Sequence, residues 1–294
     1  MDNQRKFPLF LDGFWLKIIA LLTMTIDHIG YLMPYNETAI VFRWIGRLAF
    51  PLFCFMIAEG VFYTKSFKKY ALRLGIMASV ISVALIGMEY IPDLGSMRDE
   101  GIIFVDLLLG ALAVYCLKQE KWYFKLLAIL PLAYGIGSFI AGSLERCGCH
   151  GHILWFPFFM RTQYGFYGVL MIILFYVARL LGEQFIKYHS GITGIDRSLY
   201  QGSNLERQVL NIFSVLMIAI ATFIYYLVIQ MMPSKYTQWF DNMQLFAIAS
   251  GVFILLYNGH RGYNGKWFKY GSYLYYPLHM VILYFIFALI NGGF

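Results

Sequence analysis

Charged residues are scarce in this sequence, and their scarcity excludes most classes of soluble protein. Asp, Glu, Lys and Arg make up 13% of the 294 residues, whereas 60% are hydrophobic. A soluble domain has roughly twice this charged fraction. Apolar runs of about 20 residues recur along the chain, and a helical run of that length crosses the hydrocarbon core of a bilayer. We therefore expect an all-α polytopic membrane protein.

Other features are absent as well. Only four cysteines occur, and they are scattered, so no disulfide framework is expected. The first apolar run is too long for the hydrophobic region of a signal peptide and has no small-residue cleavage site behind it. No separate soluble segment is visible, so one domain over residues 1–294 is predicted. The net charge of +7 lies in loops between apolar runs, where membrane topology explains it without a nucleic-acid partner.

Nine membrane spans in one bundle are predicted, with a tenth if the short apolar piece 152–160 joins a neighbour. Lys and Arg concentrate in alternate loops, which predicts a cytoplasmic N-terminus and an external C-terminus. The nine spans are 15–34, 39–63, 70–91, 102–118, 122–142, 164–186, 208–232, 240–257 and 268–290.

The first span places a lysine and a histidine on one helical face. Lys17 and His28 are almost three whole turns apart, or roughly 16 Å along the axis. Ionisable groups in hydrocarbon are candidates for function, and histidine exchanges a proton near neutral pH. The alternatives are a lysine that snorkels to the inner headgroups and a histidine that is merely hydrogen-bonded between helices.

Two arginines enter the second span at about the depth of His28. Arg43 and Arg47 are four residues apart and share a face, and Arg47 lies too far inside the apolar run for anchoring alone to explain it. Asp106, near the outer start of the fourth span, is the expected counter-charge. These side chains together predict a polar cavity that opens outward.

The last span carries a second polar group. Tyr275 and Tyr276 precede His279 by four and three residues, so their side chains lie on one side of the helix. Pro277 loosens the helix and frees a carbonyl, which often accompanies a polar site at membrane depth. The alternative is an aromatic packing helix with one satisfied histidine.

The loop Cys147–His152 contains two cysteines and two histidines, which are residue types that bind zinc. Their spacing is closer than in the common structural zinc sites, so no metal is expected. An outward-facing loop with thiols that can oxidise is the favoured interpretation.

The chain resembles the TraX family of conjugal-transfer membrane proteins over nearly its whole length. The most specific segments are LKIIALLTMTIDHIGYLMP (16–34), FRWIGRLAFPLFCFMIAEG (42–60), KKYALRL (68–74), YGFYGVLMIILFY (164–176), LYNGHRG (256–262) and YYPLHMVIL (275–283).

TraX proteins are similar in outline to transmembrane acyltransferases, namely the acyltransferase-3 proteins and the lysosomal heparan glucosaminide N-acetyltransferase. The acyltransferase-3 pattern of a basic residue, ten intervening residues and a histidine resembles Lys17 to His28. A late Tyr–His pair in that group resembles Tyr276 and His279. The founding TraX protein is linked to acetylation of the pilin N-terminal amine. The resemblance therefore implies an acyl-CoA-dependent acyltransferase in a bacterial cell membrane, with acetyl-CoA as co-substrate.

The resemblance and the residue chemistry together suggest two groups of site residues. The catalytic group comprises a general base, an oxyanion-stabilising arginine and a Tyr–His pair that orients the thioester or relays the proton: His28, Arg43, Arg47, Tyr276 and His279. The group expected to bind the CoA phosphates comprises Lys17, Lys69, Arg73 and Arg261. Direct transfer and a covalent acyl-histidine both stay open.

The expected partners are a CoA thioester, a peptide, pilin-like or glycan acceptor, the lipid bilayer and, in a homodimer, a second copy of the chain. Two other functions stay open. A transporter or flippase of a polar or anionic solute would use the same buried Arg and His residues, although no related halves are visible. In a non-catalytic membrane scaffold, Lys17 and His28 would be replaceable.

Overall fold

The structure is a computed structural model that describes residues 9–89, 101–148, 153, 155–194, 196–237 and 242–290. Within these ranges all regular elements are helical, which confirms the expected all-α fold. Three are 3₁₀ helices, at Phe158–Met160, Arg197–Leu199 and Asn242–Ser250. The α-helices are α1 (Gly13–Leu32), α2 (Glu37–Gly46), α3 (Ala49–Tyr63), α4 (Phe67–Glu89), α5 (Ile103–Leu117), α6 (Trp122–Leu127), α7 (Ile129–Arg146), α8 (Phe166–Thr193), α9 (Asn204–Met231), α10 (Ser234–Thr237), α11 (Gly251–Leu255) and α12 (Lys266–Ile290).

Seven helical segments of the described chain are long and apolar enough to cross a membrane, so the chain is a multi-pass membrane protein. Two of these segments each join two consecutive helices, α2 with α3 and α6 with α7. The predicted count of nine to ten is not confirmed. Residues 102–118 and 240–257 are largely helical, but their helices, Ile103–Leu117 and Asn242–Leu255, are shorter. The 15 residues of α5 reach only about 22 Å, less than the roughly 30 Å of the hydrocarbon core. The seven are Gly13–Leu32, Glu37–Tyr63, Phe67–Gly87, Trp122–Arg146, Phe166–Thr193, Asn204–Met231 and Lys266–Ile290.

Helix α1 has clear start and stop signals. The Asp12 carboxylate accepts hydrogen bonds from the backbone N–H groups of Phe14 and Trp15, at 3.0 Å each, and so caps the helix. Met33 is extended, as the residue before Pro34 tends to be. The span therefore includes both Lys17 and His28 in one uninterrupted helix.

The second span is broken in its middle, where α2 ends and α3 begins. Pro51 lies in the first turn of α3 and has no N–H to donate to the carbonyl of Arg47, so an α-helix cannot run through this point unchanged. The chain instead closes with tighter turns, in which Arg47 N bonds to Trp44 O and Leu48 N to Ile45 O. The break falls at one of the two predicted arginines.

Helices α1 and α12 lie side by side and run parallel. Residue numbers rise together along the contact, with partners about 251 positions apart: Lys17 with Phe268, Thr25 with Tyr275, and His28 with His279. Because both helices start on the same side, an even number of crossings must separate the start of α1 from the start of α12.

The chain divides into two compact units, residues 1–53, 177–219 and 243–294 in the first and 54–176 and 220–242 in the second. In the second unit, the buried Asp106 carboxylate of α5 accepts hydrogen bonds from the backbone N–H groups of Gln163, at 2.7 Å, and Tyr164, at 3.3 Å. Arg161 donates to Glu145 of α7 at 2.6 Å. The described part of the piece 152–160 ends in a three-residue 3₁₀ helix.

Candidate functional site

The two membrane histidines of the first unit meet in a buried hydrogen bond. His28 is 5% exposed and His279 is 4% exposed. The Nε2 atom of His279 lies 2.9 Å from Nδ1 of His28, and the Nδ1 atom of His279 lies 2.8 Å from the backbone carbonyl oxygen of Tyr275. The sequence placed both histidines among the site residues, and the structure brings them into direct contact.

If both imidazoles are neutral, these two contacts determine which nitrogen donates and which accepts in the His28–His279 hydrogen bond. A carbonyl can only accept, so Nδ1 of His279 must carry a proton. Its Nε2 then accepts, and Nδ1 of His28 donates to it. The Nε2 atom of His28 then carries the lone pair and is the basic nitrogen of the pair. The His28 ring also has a hydrogen-bond contact with the backbone of Met24. The second histidine orients the first, as the orienting group does in a catalytic triad.

Two tyrosines hold His279, and the sequence reasoning assigned a role to only one of them. The ring of Tyr276 meets His279 edge-on, with centroids 5.9 Å apart. Tyr275 stacks on His279 with centroids 5.0 Å apart and 3° between the planes, and its hydroxyl is 2.6 Å from the Thr25 hydroxyl of α1. The spacing of four residues before His279 was the available signal for Tyr275.

Both predicted arginines converge on one carboxylate. Asp27 pairs with Arg43 at 3.2 Å and with Arg47 at 3.3 Å, all three side chains being largely buried. Asp27 thus supplies the counter-charge that was predicted at Asp106, whose carboxylate holds backbone N–H groups in the second unit. The available signal for Asp27 was a carboxylate directly before His28 in a membrane helix.

A glycine allows α1 and α2 to approach closely at this ion-pair cluster. A Cβ added to Gly46 would overlap the side chain of Asp27. Asp27 and His28 are consecutive on α1 and therefore point about 100° apart, so one faces α2 and the other α12. The charges of Arg43 and Arg47 nevertheless act electrostatically on His28.

A second cluster lies at the start of α1 and α12. The half-buried Lys17 has its ammonium 5.4 Å from the ring centroid of Phe268, and it experiences the positive charges of Arg261 and Lys269. In the described part of the chain none of the three cations forms an ion pair with a carboxylate. Three cations without a paired carboxylate attract an anion. Lys17 and Arg261 were predicted, whereas Lys269 was missed.

The other two predicted phosphate ligands belong to α4 of the second unit. Lys69 is exposed. Arg73 lies over the ring of Tyr70 at 5.8 Å, and its Nε atom is buried without a hydrogen-bond partner among the described residues.

The cysteine loop is only partly described. Cys147 is disulfide-bonded, whereas Cys54 and Cys116 are free. Residues 149–152, which carry the rest of the metal pattern weighed above, lie outside the described residues. Among those described, no group of three or more His, Cys, Asp and Glu side chains could hold a metal ion.

Comparison with known proteins places the chain in a family. The family model of the TraX protein matches residues 13–192. The chain belongs to the TraX family. The matched region includes the first histidine and the Asp27 cluster, whereas α12, with His279, follows it. No solved structure matches the chain.

Two curated proteins are similar to parts of this TraX-family chain. A probable fimbrial assembly protein, FimC of serogroup H1 from Dichelobacter nodosus, is 32% identical over 110 residues, which are 35% of this chain and 45% of the relative. An uncharacterized protein of Rickettsia prowazekii (strain Madrid E) is 52% identical over 50 residues, or 17% of this chain and 19% of the relative. The chain thus spans less than half the length of either relative.

Proposed function

We propose that this protein is a membrane-embedded acyltransferase that moves an acetyl or short acyl group from cytoplasmic acetyl-CoA to an acceptor at the outer face. The observation that carries the proposal is the buried His28–His279 pair, because its hydrogen-bond direction leaves a basic nitrogen on His28. An ionisable group at membrane depth is costly and is by default a candidate for chemistry, beyond the hydrogen bond that joins α1 and α12. The resemblance to transmembrane acyltransferases supports the same reaction class.

The proposed reaction uses His28 as general base. Its Nε2 atom takes the proton from the acceptor amine or hydroxyl while the acceptor attacks the thioester carbonyl. The carbonyl electrons move onto oxygen, and Arg43 or Arg47 stabilises that oxyanion. When the intermediate collapses, the C–S bond breaks and the sulfur takes the proton from the imidazolium, which gives an amide or ester and free CoA. His279 and Tyr276 orient the base and thioester.

The phosphates of CoA would bind at the opposite end of α1. Lys17, Arg261 and Lys269 form a cationic cluster there, and ammonium and guanidinium groups suit phosphate by charge and geometry. A pantetheine arm is long enough to span much of the roughly 16 Å of helix between Lys17 and His28. The helix would thus present the thioester to the base while the nucleotide stays on the cytoplasmic side.

The proposed setting is a bacterial plasma membrane, with a cytoplasmic N-terminus and a monomer or homodimer as the working unit. The similarity to a fimbrial assembly protein favours a pilin-like acceptor, such as the N-terminal amine of a peptide. A glycan hydroxyl is the other acceptor class that the base could serve.

A transfer assay with radiolabelled acetyl-CoA tests the proposal. The protein is reconstituted in nanodiscs and offered a peptide with a free N-terminal amine and a neutral disaccharide. We expect acceptor-dependent release of CoA and label on the acceptor, lost in His28→Gln. Label on neither acceptor, combined with an absence of acetyl-CoA hydrolysis and of CoA binding, would rule out the enzymatic function.

A second candidate is a transporter or flippase of an anionic solute, favoured by the break between α2 and α3 beside buried arginines. Discontinuous membrane helices commonly form solute sites in transporters. Solute flux into proteoliposomes without acetyl-CoA would favour this function, and a non-catalytic scaffold would show neither flux nor transfer.

A further inference from the structure

The start of α9 carries a buried arginine that belongs to neither cluster described above. Arg207 is 7% exposed. Its guanidinium carbon lies 4.4 Å from the ring centroid of Tyr257, and its Nε atom donates to the Asn211 side-chain oxygen at 2.8 Å. A buried guanidinium is costly to desolvate, so a side chain held in this way points to a role that a hydrophobic residue could not fill.

Arg207 and Asn211 hold one side of the loop that precedes α12. The Asn211 side-chain amide donates to the backbone carbonyl of Tyr257 at 2.8 Å. Gly259 has a φ of 81°, in the left-handed region that favours glycine. A Cβ at this position would lie 3.0 Å from Cδ of Arg207. The loop therefore wraps around the arginine stem and is shaped by it.

The beginning of the described chain holds the other side of the same loop. The backbone of Leu11 donates to the carbonyl of Leu256 at 3.0 Å and accepts from Asn258 at 2.8 Å. Gly13 N donates to the carbonyl of His260 at 2.8 Å. The segment 256–260 is thus fixed between α9 and the start of α1, directly before Arg261.

We propose that Arg207 and Asn211 are positioning residues, which act through the 256–262 loop to place Arg261 beside Lys17 for binding the phosphates of CoA. This inference rests on the proposed function, since it concerns the same anion site. Arg261 lies on an exposed loop, where a free side chain would lose much of its binding energy to conformational entropy. Bracing the loop from both sides reduces that loss before the ligand arrives.

The test compares CoA affinity in the full-length protein by equilibrium dialysis. Arg207→Met keeps the apolar stem and removes the guanidinium, and Arg197→Met is the matched control with the same charge change at an exposed site. A misplaced binding group commonly costs up to about 100-fold. We expect Arg207→Met to weaken CoA binding by roughly 10- to 100-fold, with KM for acetyl-CoA raised and kcat nearly unchanged. Arg197→Met should match the unmodified protein.

A double variant separates positioning from general loss of structure. If Arg207 acts through Arg261, the double variant Arg207→Met with Arg261→Gln should bind CoA no more weakly than Arg261→Gln alone. Fully additive losses, or an Arg207→Met affinity equal to that of Arg197→Met, would overturn the inference. If Arg207→Met does not fold, Arg207→Lys and Asn211→Leu replace it in the test. Each should weaken CoA binding by itself and cause no further loss when combined with Arg261→Gln. An unmodified protein that does not bind CoA would instead overturn the proposed function.

Discussion

His28 and His279 are hydrogen-bonded at 2.9 Å although they are 251 residues apart in the chain. The bond runs from Nδ1 of His28 to Nε2 of His279 because the other nitrogen of His279 is committed to a carbonyl. Neither ring alone explains the arrangement. Together they give one basic nitrogen with a defined position, which is what the proposed proton transfer from an acceptor requires.

Replacement of His28 should stop transfer but spare CoA binding. A general base contributes roughly 100- to 10,000-fold in rate, so His28→Gln should lose acyl transfer by about that factor. Its CoA affinity should stay near normal, since the cationic cluster lies roughly 16 Å away along α1. Transfer rates and dialysis on the same preparation check both points.

The control for this prediction is His189→Gln. His189 contacts the hydroxyl of Tyr200 at 3.1 Å, and we assign it no role in the reaction. Its variant should transfer normally. If His28→Gln keeps near-normal transfer while His279→Gln abolishes it, the roles of the two histidines are reversed. Normal acyl transfer in both His28→Gln and His279→Gln would contradict the catalytic interpretation.

The hydroxyl of Tyr275 should matter through its bond to Thr25. Tyr275→Phe keeps the ring that stacks on His279 but removes this bond, which is worth about 1 kcal/mol. We expect Tyr275→Phe and Thr25→Val each to slow transfer roughly fivefold, and the double variant to be no slower than either. A double-mutant cycle of kcat measures this coupling, and simple multiplication of the two effects would contradict it.

Loss of the shared carboxylate should destabilise the α1–α2 contact. Asp27→Asn leaves two largely buried guanidiniums without their common counter-charge, which should cost a few kcal/mol of unfolding free energy. The loss is measurable as a lower thermal unfolding midpoint in detergent. Adding Arg47→Gln to Asp27→Asn should recover part of it. Equal midpoints for Asp27→Asn and the unmodified protein would show that the ion pairs contribute little.

The cationic cluster predicts a salt-dependent cofactor affinity. Lys17→Ala, Arg261→Ala and Lys269→Ala should each weaken CoA binding by about 1–3 kcal/mol, the range for charge-assisted hydrogen bonds. Higher salt should reproduce part of the defect in the unmodified protein. Lys187→Ala, at an exposed position of α8 outside the cluster, is the matched control. Unchanged affinity in all three variants would remove the cluster from the CoA site.

The parallel course of α1 and α12 predicts that a tag ahead of α1 and a tag behind α12 report opposite sides of the membrane. This holds whether seven or nine segments cross, since either number leaves an even count before α12. Protease protection in inverted and right-side-out vesicles checks the prediction. With nine crossings and a cytoplasmic N-terminus, Cys147 lies outside and reacts with an impermeant thiol reagent on intact cells once its disulfide is reduced, whereas with the seven crossings it lies inside and does not react. Both tags on one side would exclude an odd number of crossings.

Relations within one helix were readable from the sequence, because helical periodicity fixes them. The shared face of Lys17 and His28 and the pairing of the two arginines on one side are of this kind. The contact of His28 with His279 depends instead on which helices are neighbours, and no local pattern encodes that. The same reason explains why Asp27, one residue from His28 but on another face, was passed over in favour of Asp106.

Helix lengths were predicted less well than helix positions. Hydropathy marked residues 102–118 and 240–257 as apolar, which they are, but apolarity does not fix where a helix stops. At the second span, Pro51 was visible in the sequence. A proline inside a helix disrupts it, whereas a proline in the first turn is tolerated. Here a new helix, α3, begins at Ala49, two residues before Pro51.

The histidine pair also sets the order in which this protein can mature. His28 lies in α1 and His279 in α12, so the ribosome adds His279 about 250 residues after His28. At ordinary elongation rates this takes roughly 12 to 50 s. During that interval α1 holds a histidine, a lysine and a carboxylate in or beside the bilayer without the helix that covers them. Arg43 and Arg47 arrive early and can neutralise Asp27 at once. His28 must wait for the end of synthesis, so the histidine pair on which the proposed reaction depends forms last.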